Sequence, residues 1–441
     1  MGMHQGDVDS DVTERAQDSA SITLGSALWI ALAAILPVYR LVMTNVSALF
    51  PYAVLALIVA CVLLGRVAYP VFPRLWLAAL CVVPMAAVIA GTTTSIIAST
   101  IVGVKIALLI GLAPFVIRYF VLQDRNFVRR ALTGFVVVQT LSAIAGLVQV
   151  TGVTILGRAA NSGRANGLAV HPNVLGIMCA LTLLICISVL PRSRGWMRLL
   201  LVAVTAVNAA ALFATGSLSS LLAAVVGAVV LLICMRITGR AVILLIGATT
   251  LAFVGLSIFG YDTTVLTGSV EERVDVVTGV SDGVASLNVR ERTYDYAWQS
   301  ISGDPITGVG MDGVNEATFD GSTVVHNYVL RGWYQGGFLL FAVLAAFTVA
   351  MLVLVFRSLR DAENSVAAAT ITAMLTFAAT SAFYDQQQYW LPILLAVAVT
   401  TPPRKSHKQK AARKIRTKRE FGPLPTPKAL VPAKETEESN A

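Results

Sequence analysis

The sequence predicts an all-α polytopic membrane protein with about 12 transmembrane helices and a long, partly helical extracytoplasmic loop between spans nine and ten. Composition is the first reason: 56% of the 441 residues are hydrophobic and 13% are charged, whereas about a quarter of a soluble domain is charged. The second reason is that the apolar residues form runs close to the roughly 20 residues that a helix needs to cross a bilayer.

Twelve apolar stretches are predicted as spans, with eleven as the alternative because the second contains Pro51 and the last is short. They cover residues 24–43, 48–64, 75–91, 96–117, 131–150, 168–190, 199–214, 219–235, 241–259, 336–356, 366–383 and 389–402. The predicted regions are a polar cytoplasmic tail (1–23), spans one to nine (24–259), the extracytoplasmic loop (260–335), spans ten to twelve (336–402) and a basic cytoplasmic tail (403–441) that we expect to be disordered.

The distribution of arginine predicts the orientation, because Lys and Arg accumulate in cytoplasmic loops close to the span ends. With both termini inside, five short cytoplasmic loops contain Arg66, Arg74, Arg118, Arg125, Arg129, Arg130, Arg192, Arg194, Arg198, Arg236, Arg240, Arg357 and Arg360. The outer side receives Arg158, Arg164, Arg273, Arg290, Arg292 and Arg331. The basic tail is expected to anchor this topology, with attraction to anionic lipids as the alternative; no nucleic-acid partner is expected.

Two further charges fall within predicted spans. Lys105 lies near the middle of span four, and Arg40 lies near the outer end of span one. An ionisable group at membrane depth is a functional candidate, because burying it without a partner is unfavourable. Arg40 has the alternative of extending to the headgroups. Lys105 is expected to line a polar cavity or to contact backbone carbonyls.

The outer segment from Arg164 to Asn173 predicts an anion-binding site. Span six runs from outside to inside, and Pro172 suits its first helical turn. The unpaired amides and the dipole of a helix N-terminus favour an anion, and Arg164 adds a forked donor that matches phosphate oxygens. The alternative is that His171 and Asn173 only cap the helix.

The long loop supplies two more candidate segments. Tyr294 and Trp298 are four residues apart, which predicts a short amphipathic helix at the membrane interface with Arg290 on the face of Tyr294 and Arg292 nearby. The alternative is a surface helix with solvated charges. His326, next to Asn327, precedes span ten and is the candidate general base, since neutral imidazole accepts a proton near physiological pH. A solvated or capping histidine is its alternative.

Two other patterns carry less weight. The segment Gly308–Gly313 matches the spacing of a dinucleotide-binding loop, but it lacks the strand and helix that such a loop joins, so it is interpreted as a glycine-rich turn. No set of Cys, His and carboxylate residues has the spacing of metal ligands. We therefore expect metal-independent chemistry without a cofactor.

Three motifs follow one another between spans five and ten. They are Arg164-x-x-Gly167 with Pro172-Asn173, then Arg290 before Asp304-Pro305-Ile306-Thr307-Gly308-Val309-Gly310, then His326-Asn327 with Leu330 and Gly337. In this order they resemble the motifs of the O-antigen ligase and O-antigen polymerase family of membrane glycosyltransferases.

The resemblance implies transfer of a glycan from undecaprenyl diphosphate to the hydroxyl of an acceptor glycan, lipid or protein, at the outer face of the bacterial cytoplasmic membrane. It implies that Arg164 and Arg290 hold the diphosphate, with Arg292 as a secondary candidate for the same role. It also implies that His326 deprotonates or orients the acceptor. His171, Asn173, Asn327, Tyr294, Lys105 and Arg40 are the expected supporting residues.

One departure from the family pattern concerns the turn Gly216-Ser217-Leu218-Ser219, where the family often has arginine at the position of Leu218. Arg40 or Arg158 could supply the missing charge. Two other function classes stay open at this point: a flippase for lipid-linked oligosaccharides or another 12-span transporter, and a non-catalytic membrane scaffold. The sequence shows no internal repeat of the kind that many transporters have, which favours the transferase.

Overall fold

A computed structural model of the chain describes residues 23–93, 95–236, 270, 275, 285–311, 323, 325–381, 383 and 386–400. Regular structure within these residues is helical. β pairing there is limited to two isolated bridges, Ile155 with Arg158 and Asn161 with Arg164. The predicted all-helical class is therefore confirmed for the described part of the chain.

The longer helices have the following bounds. They are α1 (Leu24–Ile35), α2 (Tyr39–Asn45), α3 (Phe50–Leu63), α4 (Pro73–Gly91), α5 (Ile96–Ile106), α6 (Ala113–Gln123), α7 (Phe127–Gln149), α8 (Pro172–Val189), α9 (Gly195–Ala214), α10 (Leu218–Met235), α11 (Ala285–Gly303), α12 (Tyr328–Ser358), α13 (Ser365–Ala378) and α14 (Gln387–Val399).

Eight helical stretches in the described residues are long and apolar enough to cross a membrane. They are Leu24–Asn45, Pro73–Gly91, Ile96–Gln123, Phe127–Gln149, Pro172–Arg192, Gly195–Ala214, Leu218–Met235 and Tyr328–Ser358. The chain is thus a multi-pass membrane protein. The predicted spans two, eleven and twelve are the shorter helices α3, α13 and α14, which at 1.5 Å per residue fall short of a bilayer core of about 30 Å. Span nine (241–259) lies outside the described residues, so the count of twelve stays a prediction.

The helix starts follow from local chemistry. Side chains of Thr23, Ser95, His171, Ser217 and Asn327 accept hydrogen bonds from backbone N–H groups at the starts of α1, α5, α8, α10 and α12. Such bonds satisfy donors that have no partner inside the helix. The capped residues therefore fix where these five helices begin.

The fourth predicted span is not a uniform α-helix. Residues Ala107–Leu112 form a π-helical segment between α5 and α6, directly after Lys105 and Ile106. Such segments are rare and occur frequently at functional sites. Lys105 therefore lies at a local change in helix geometry.

Helix α12 is broken at Gly337, whose backbone has φ 67° and ψ −170°. Span ten was predicted to begin at residue 336, which is where the break lies; the additional turns from Tyr328 precede it. The apolar pattern begins only after the break, and for this reason the sequence does not reveal the earlier helical turns.

The glycine-rich turn docks onto this break. The Val309 and Gly310 N–H groups donate to the Tyr334 and Gln335 carbonyls over 2.8 and 2.9 Å, and Phe338 N–H donates to the Ile306 carbonyl over 3.1 Å. These backbone contacts agree with the interpretation of the segment as a turn.

The docked backbones leave no room for side chains at two glycines. A Cβ added to Gly337 would lie 2.0 Å from the Ile306 carbonyl oxygen, and one added to Gly308 would lie 2.5 Å from the Gly337 nitrogen. Glycine is therefore required at both positions because two backbones meet there. The turn and the start of the membrane-spanning part of α12 form one unit.

Candidate functional site

The segment between α7 and α8 folds back onto the membrane helices. Gln149, at the end of α7, accepts hydrogen bonds through Oε1 from Gly167 N–H (2.8 Å) and Asn166 N–H (3.3 Å). Ser142 Oγ accepts from Leu168 N–H (3.0 Å), and Ala165 N–H donates to the carbonyl of Ala214 at the end of α9 (2.9 Å). Residues on both sides of Arg164 are thereby anchored.

Arg164 lies between the N-termini of two helices. Its Nε donates to the Thr215 carbonyl over 2.7 Å, and its Nη2 donates to Asn173 Oδ1 over 3.0 Å. Asn173 is in the first turn of α8, and Thr215 precedes Ser217, the N-cap of α10. The guanidinium thus contacts the residue directly before the Gly216–Ser219 turn.

The two helix starts are also joined directly. Ser220 Oγ donates to the Asn173 carbonyl over 3.3 Å, and a Cβ on Gly176 would lie 2.7 Å from Ser220 Oγ. Two helix N-termini and one guanidinium therefore lie together, and each attracts anions. The segment from Arg164 to Asn173 thus folds back onto the start of α8.

His171 is the N-cap of α8, as the capping interpretation of this residue predicts. Its Nδ1 accepts a hydrogen bond from Asn173 N–H over 3.2 Å. In neutral imidazole only one ring nitrogen accepts, so the proton of His171 is on Nε2. Neutral His171 can donate from Nε2 but has no second acceptor nitrogen with which to remove a proton, and this makes it a poor general base.

The residue before His171 is held in an unusual backbone conformation. Val170 has φ 70° and ψ −13°, a left-handed conformation that is rare for a β-branched residue. Strained residues of this kind concentrate at functional sites. Here the strained residue sets the direction from which His171 enters the cap.

The electrostatics of His171 bring four residues together. Burial lowers the pKa of His171 from 6.5 to about 4, and the charges of Arg40, Arg164 and His326 contribute in the same direction. Each of these three residues comes from a different part of the sequence. Arg40, Arg164 and His326 are therefore close enough to His171 to affect its pKa.

His326 is positioned by the loop helix and by its own neighbour. Tyr294 Oη, from α11, donates to the His326 carbonyl over 3.3 Å. Asn327 is the N-cap of α12, and its Oδ1 accepts from Val329 and Leu330 N–H over 3.1 and 3.0 Å. Tyr294 therefore joins α11 to the segment that contains His326.

The helix predicted around Tyr294 and Trp298 is present as α11, which contains Arg290 and Arg292. The Arg290 side chain lies outside the described residues. The Arg292 side chain is exposed. On the apolar side of α11, Ala297 and Ile301 are buried against Val325 and Tyr334. The helix is therefore packed against the segment that contains His326.

Lys105 and Arg40 line a common polar cavity of about 260 Å³. The other lining residues are Tyr39, Met43, Pro51, Ile106, Leu109, Gln386, Gln387 and Gln388. The Lys105 Nζ also lies 4.5 Å from the centre of the Tyr52 ring, within reach of a cation–π interaction. A polar cavity was one of the two predicted surroundings of Lys105.

Arg158 lies on the same side as Arg40. Its Nη2 donates to Thr44 Oγ1 and Asn45 Oδ1, both over 3.2 Å, at the end of α2. Arg40 is one turn earlier on that helix. Both candidate replacements for the missing arginine of the Gly216–Ser219 turn are thus near the end of span one, while Arg164 itself contacts the residue before that turn.

Two groups of residues near the site were not predicted from the sequence. Arg331 is only 3% exposed, and its Nε donates to Gln335 Oε1 over 2.9 Å. A signal for Arg331 was its position one helical turn after Asn327. Gln386–Gln388, which line the Lys105 cavity, were overlooked because they precede the apolar run; three adjacent glutamines at a span end were the available signal.

In the described residues, no group of three His, Cys, Asp or Glu side chains is placed to hold a metal ion.

Part of the chain is similar to a known protein family. No curated protein was found to be similar to the chain. Residues 201–345 match the family model described as O-antigen ligase. This range includes Arg290, His326 and Gly337 but not Arg164 or His171. The match confirms, for residues 201–345, the resemblance of this membrane protein to the O-antigen ligase family.

Proposed function

We propose that this chain transfers a glycan from undecaprenyl diphosphate to an acceptor hydroxyl at the outer face of the bacterial cytoplasmic membrane, with both termini in the cytoplasm. The match to the O-antigen ligase family supports a membrane glycan ligase or polymerase in general. The observation that carries the finer proposal is the position of Arg164, which is hydrogen-bonded to Asn173 in the first turn of the helix that His171 caps. Arg40 and His326 are close enough to His171 to affect its pKa.

Arg164 is the proposed diphosphate-binding residue. Transfer breaks the bond between the sugar carbon and the diphosphate oxygen, so negative charge grows on the leaving diphosphate. Pre-positioned donors that face the growing charge stabilise the transition state. The guanidinium of Arg164, fixed by Thr215 and Asn173 between two helix N-termini, meets this requirement. Arg290 and Arg292 are proposed to approach the same diphosphate from α11.

His326 is the proposed general base. It takes the proton of the acceptor hydroxyl while the acceptor oxygen forms the new bond to the sugar carbon, and the diphosphate leaves with the bonding electrons. Atoms and charge balance without an oxidant, a nucleotide or a metal ion. The other nearby histidine, His171, is a poor candidate for the base, because its Nδ1 already accepts the hydrogen bond of the helix cap. Its Nε2–H is available to orient a diphosphate oxygen or the acceptor.

The test uses the full chain in lipid nanodiscs with an undecaprenyl-diphosphate-linked oligosaccharide as donor. Two products are measured by chromatography and mass spectrometry: free undecaprenyl diphosphate and lengthened or transferred glycan. His326→Gln and Arg164→Gln are expected to reduce both by about 100-fold or more, as loss of a catalytic base or of a transition-state donor does. Arg198→Gln, an exposed arginine in a predicted cytoplasmic loop, is the matched control.

The flippase alternative gives a different result in the same membranes. A flippase moves the donor between leaflets without breaking the sugar–phosphate bond. Movement of intact donor in sealed vesicles, without release of undecaprenyl diphosphate and without dependence on His326, would replace the proposed transferase by transport. If single substitutions at Arg164 and His326 change neither quantity, the scaffold alternative gains support.

A further inference from the structure

The polar cavity that contains Lys105 is distinct from the Arg164 cluster, by which we mean Arg164 with its hydrogen-bond partners Asn173 and Thr215. It is lined by α2, the first turn of α3, the α5–π segment and the start of α14. Arg164, Asn173 and Thr215 are absent from its lining. The cavity is therefore a separate space, although Arg40 is close enough to His171 to lower its pKa.

Among the described residues, the lining of this cavity is cationic without an acidic partner. Lys105 and Arg40 line it, and none of the other described lining residues is acidic. Within the described residues, the side-chain contact of the Lys105 ammonium is with the neutral Tyr52 ring. Ionisable groups at membrane depth mark substrate or ion sites, because an uncompensated charge is unfavourable there. An anion is the natural counter-charge.

The cavity is also held open by fixed polar contacts. Tyr39 Oη donates to Gln387 Oε1 over 2.5 Å, and Gln387 Nε2 donates to the Pro51 carbonyl over 3.0 Å. Gln388 Nε2 donates to Gln386 Oε1 over 2.8 Å. These bonds link the starts of α3 and α14 with α2 and hold polar groups against the two cations.

The depth of the cavity selects a lipid-bound anion over a freely dissolved one. Lys105 lies nine residues after Ile96, the first residue of its helical stretch. At 1.5 Å per residue this is a distance of about 14 Å along the helix. The π-helical segment begins two residues later, and its Leu109 lines the cavity together with Ile106 and Met43. The space is thus polar at two cations and apolar around them, as a phosphate attached to a hydrocarbon chain requires.

We infer that this cavity binds the phosphate group of a membrane lipid, as a second phosphate site beside the Arg164 cluster. Lys105 and Arg40 neutralise the phosphate, and Gln387 with Tyr39 fixes the wall against which it lies. The inference does not need the transfer reaction. Where it is combined with the proposed function, two phosphate sites next to His171 suit a reaction between two lipid-linked molecules, a donor and an acceptor.

The stoichiometry of lipid binding tests this inference. The probe is undecaprenyl monophosphate, which has a phosphate and a prenyl chain but no glycan to transfer, added to the full chain in phosphatidylcholine nanodiscs. Native mass spectrometry is expected to count two bound probes per wild-type chain, one in Lys105→Gln and one in Arg164→Gln. Lys105→Arg keeps the charge and is expected to retain two, as is the control Arg198→Gln. A wild-type count of one, or a count of two in Lys105→Gln, overturns the inference.

Two further measurements separate the possible sources of the phosphate. Inorganic phosphate in the millimolar range is expected not to displace the Lys105-dependent probe; displacement would mean a site for dissolved anions and would overturn the lipid assignment. Replacement of phosphatidylcholine by phosphatidylglycerol tests bulk lipid headgroups. Loss of the Lys105-dependent probe there would assign the cavity to any anionic lipid, and its persistence would assign it to prenyl phosphates.

A second variant covers the case in which Lys105→Gln does not fold. Arg40→Gln removes the other cation and is expected to weaken binding of the second probe at least 10-fold. Glycan transfer is measured in parallel with the His326→Gln control. Normal probe stoichiometry without any transfer would refute the proposed function alone, whereas normal transfer with a single bound probe would refute the second phosphate site alone.

Discussion

The Nη2 of Arg164 donates to the Oδ1 of Asn173 over 3.0 Å, which ties a loop arginine to the first turn of the helix that follows it. The same guanidinium reaches the Thr215 carbonyl through Nε. A planar fork can satisfy both acceptors at once, whereas an ammonium has no such fixed geometry. The fold therefore fixes the orientation of the Arg164 guanidinium as well as the position of its charge.

Replacement of Arg164 separates the charge from its direction. Arg164→Lys keeps the charge but cannot hold both acceptors in the same geometry, so we expect glycan transfer to fall about 10-fold, against about 100-fold or more for Arg164→Gln. The measurement is the rate of undecaprenyl diphosphate release at saturating donor. Equal rates for Arg164→Lys and the wild type would show that direction is unimportant.

The sequence predicts the parts of this site better than their contacts. Pro172 identifies the start of α8 because proline suits the first helical turn, and the start is observed there. The contact of Arg164 with Thr215 joins residues 51 positions apart, which no local pattern specifies. The Lys105 cavity is similarly built from four separate parts of the chain, so its glutamines could be recognised only once those parts were placed together.

The pKa of His171 gives the stability of the protein a defined pH dependence. The pKa is about 4 in the folded chain and 6.5 ordinarily. Between these values the unfolded state binds more protons than the folded state. The contribution of neutral His171 to the stability is therefore fully present above about pH 6.5 and is lost as the pH falls toward 4. The limiting slope for one proton is about 1.4 kcal/mol per pH unit.

A non-titrating cap isolates this contribution. His171→Asn can still accept the helix N-terminal hydrogen bond but does not titrate, so its melting temperature in detergent is expected to fall less than that of the wild type between pH 6.5 and pH 4. Above pH 7 the two curves run parallel. Parallel curves through the acidic range as well would mean that His171 titrates normally in the folded chain.

Asn327 couples a helix cap to the position of His326. Removal of its side chain in Asn327→Ala loses two hydrogen bonds and is expected to destabilise the protein by about 1 kcal/mol. Because the cap also fixes the turn after His326, transfer should fall at least 5-fold at temperatures where the variant is fully folded. Ser95→Ala removes a comparable cap from α5 and is the matched control. A loss of transfer shared by both variants would reduce the effect of Asn327→Ala to stability alone.

Gly337 is expected to be indispensable because of a contact as well as its backbone conformation, since φ 67° with ψ −170° is adopted essentially by glycine alone. Gly337 and Gly65 both have φ +67°, but a Cβ on Gly65 meets nothing within 4 Å, whereas one on Gly337 would lie 2.0 Å from the Ile306 carbonyl oxygen. Gly65→Ala therefore carries the backbone strain alone, about 1 kcal/mol. Gly337→Ala adds a clash that must push the Asp304–Gly310 turn away from α12, and its total effect should be about 3 kcal/mol or more.

Thermal unfolding of the Gly337→Ala and Gly65→Ala variants, with transfer assayed at a temperature where each is folded, separates the effect of the clash from that of a positive φ. We expect Gly337→Ala to lose transfer as well, since the displaced turn continues from α11, whose Tyr294 holds His326; equal behaviour of the two variants would rule out a role for the docked turn.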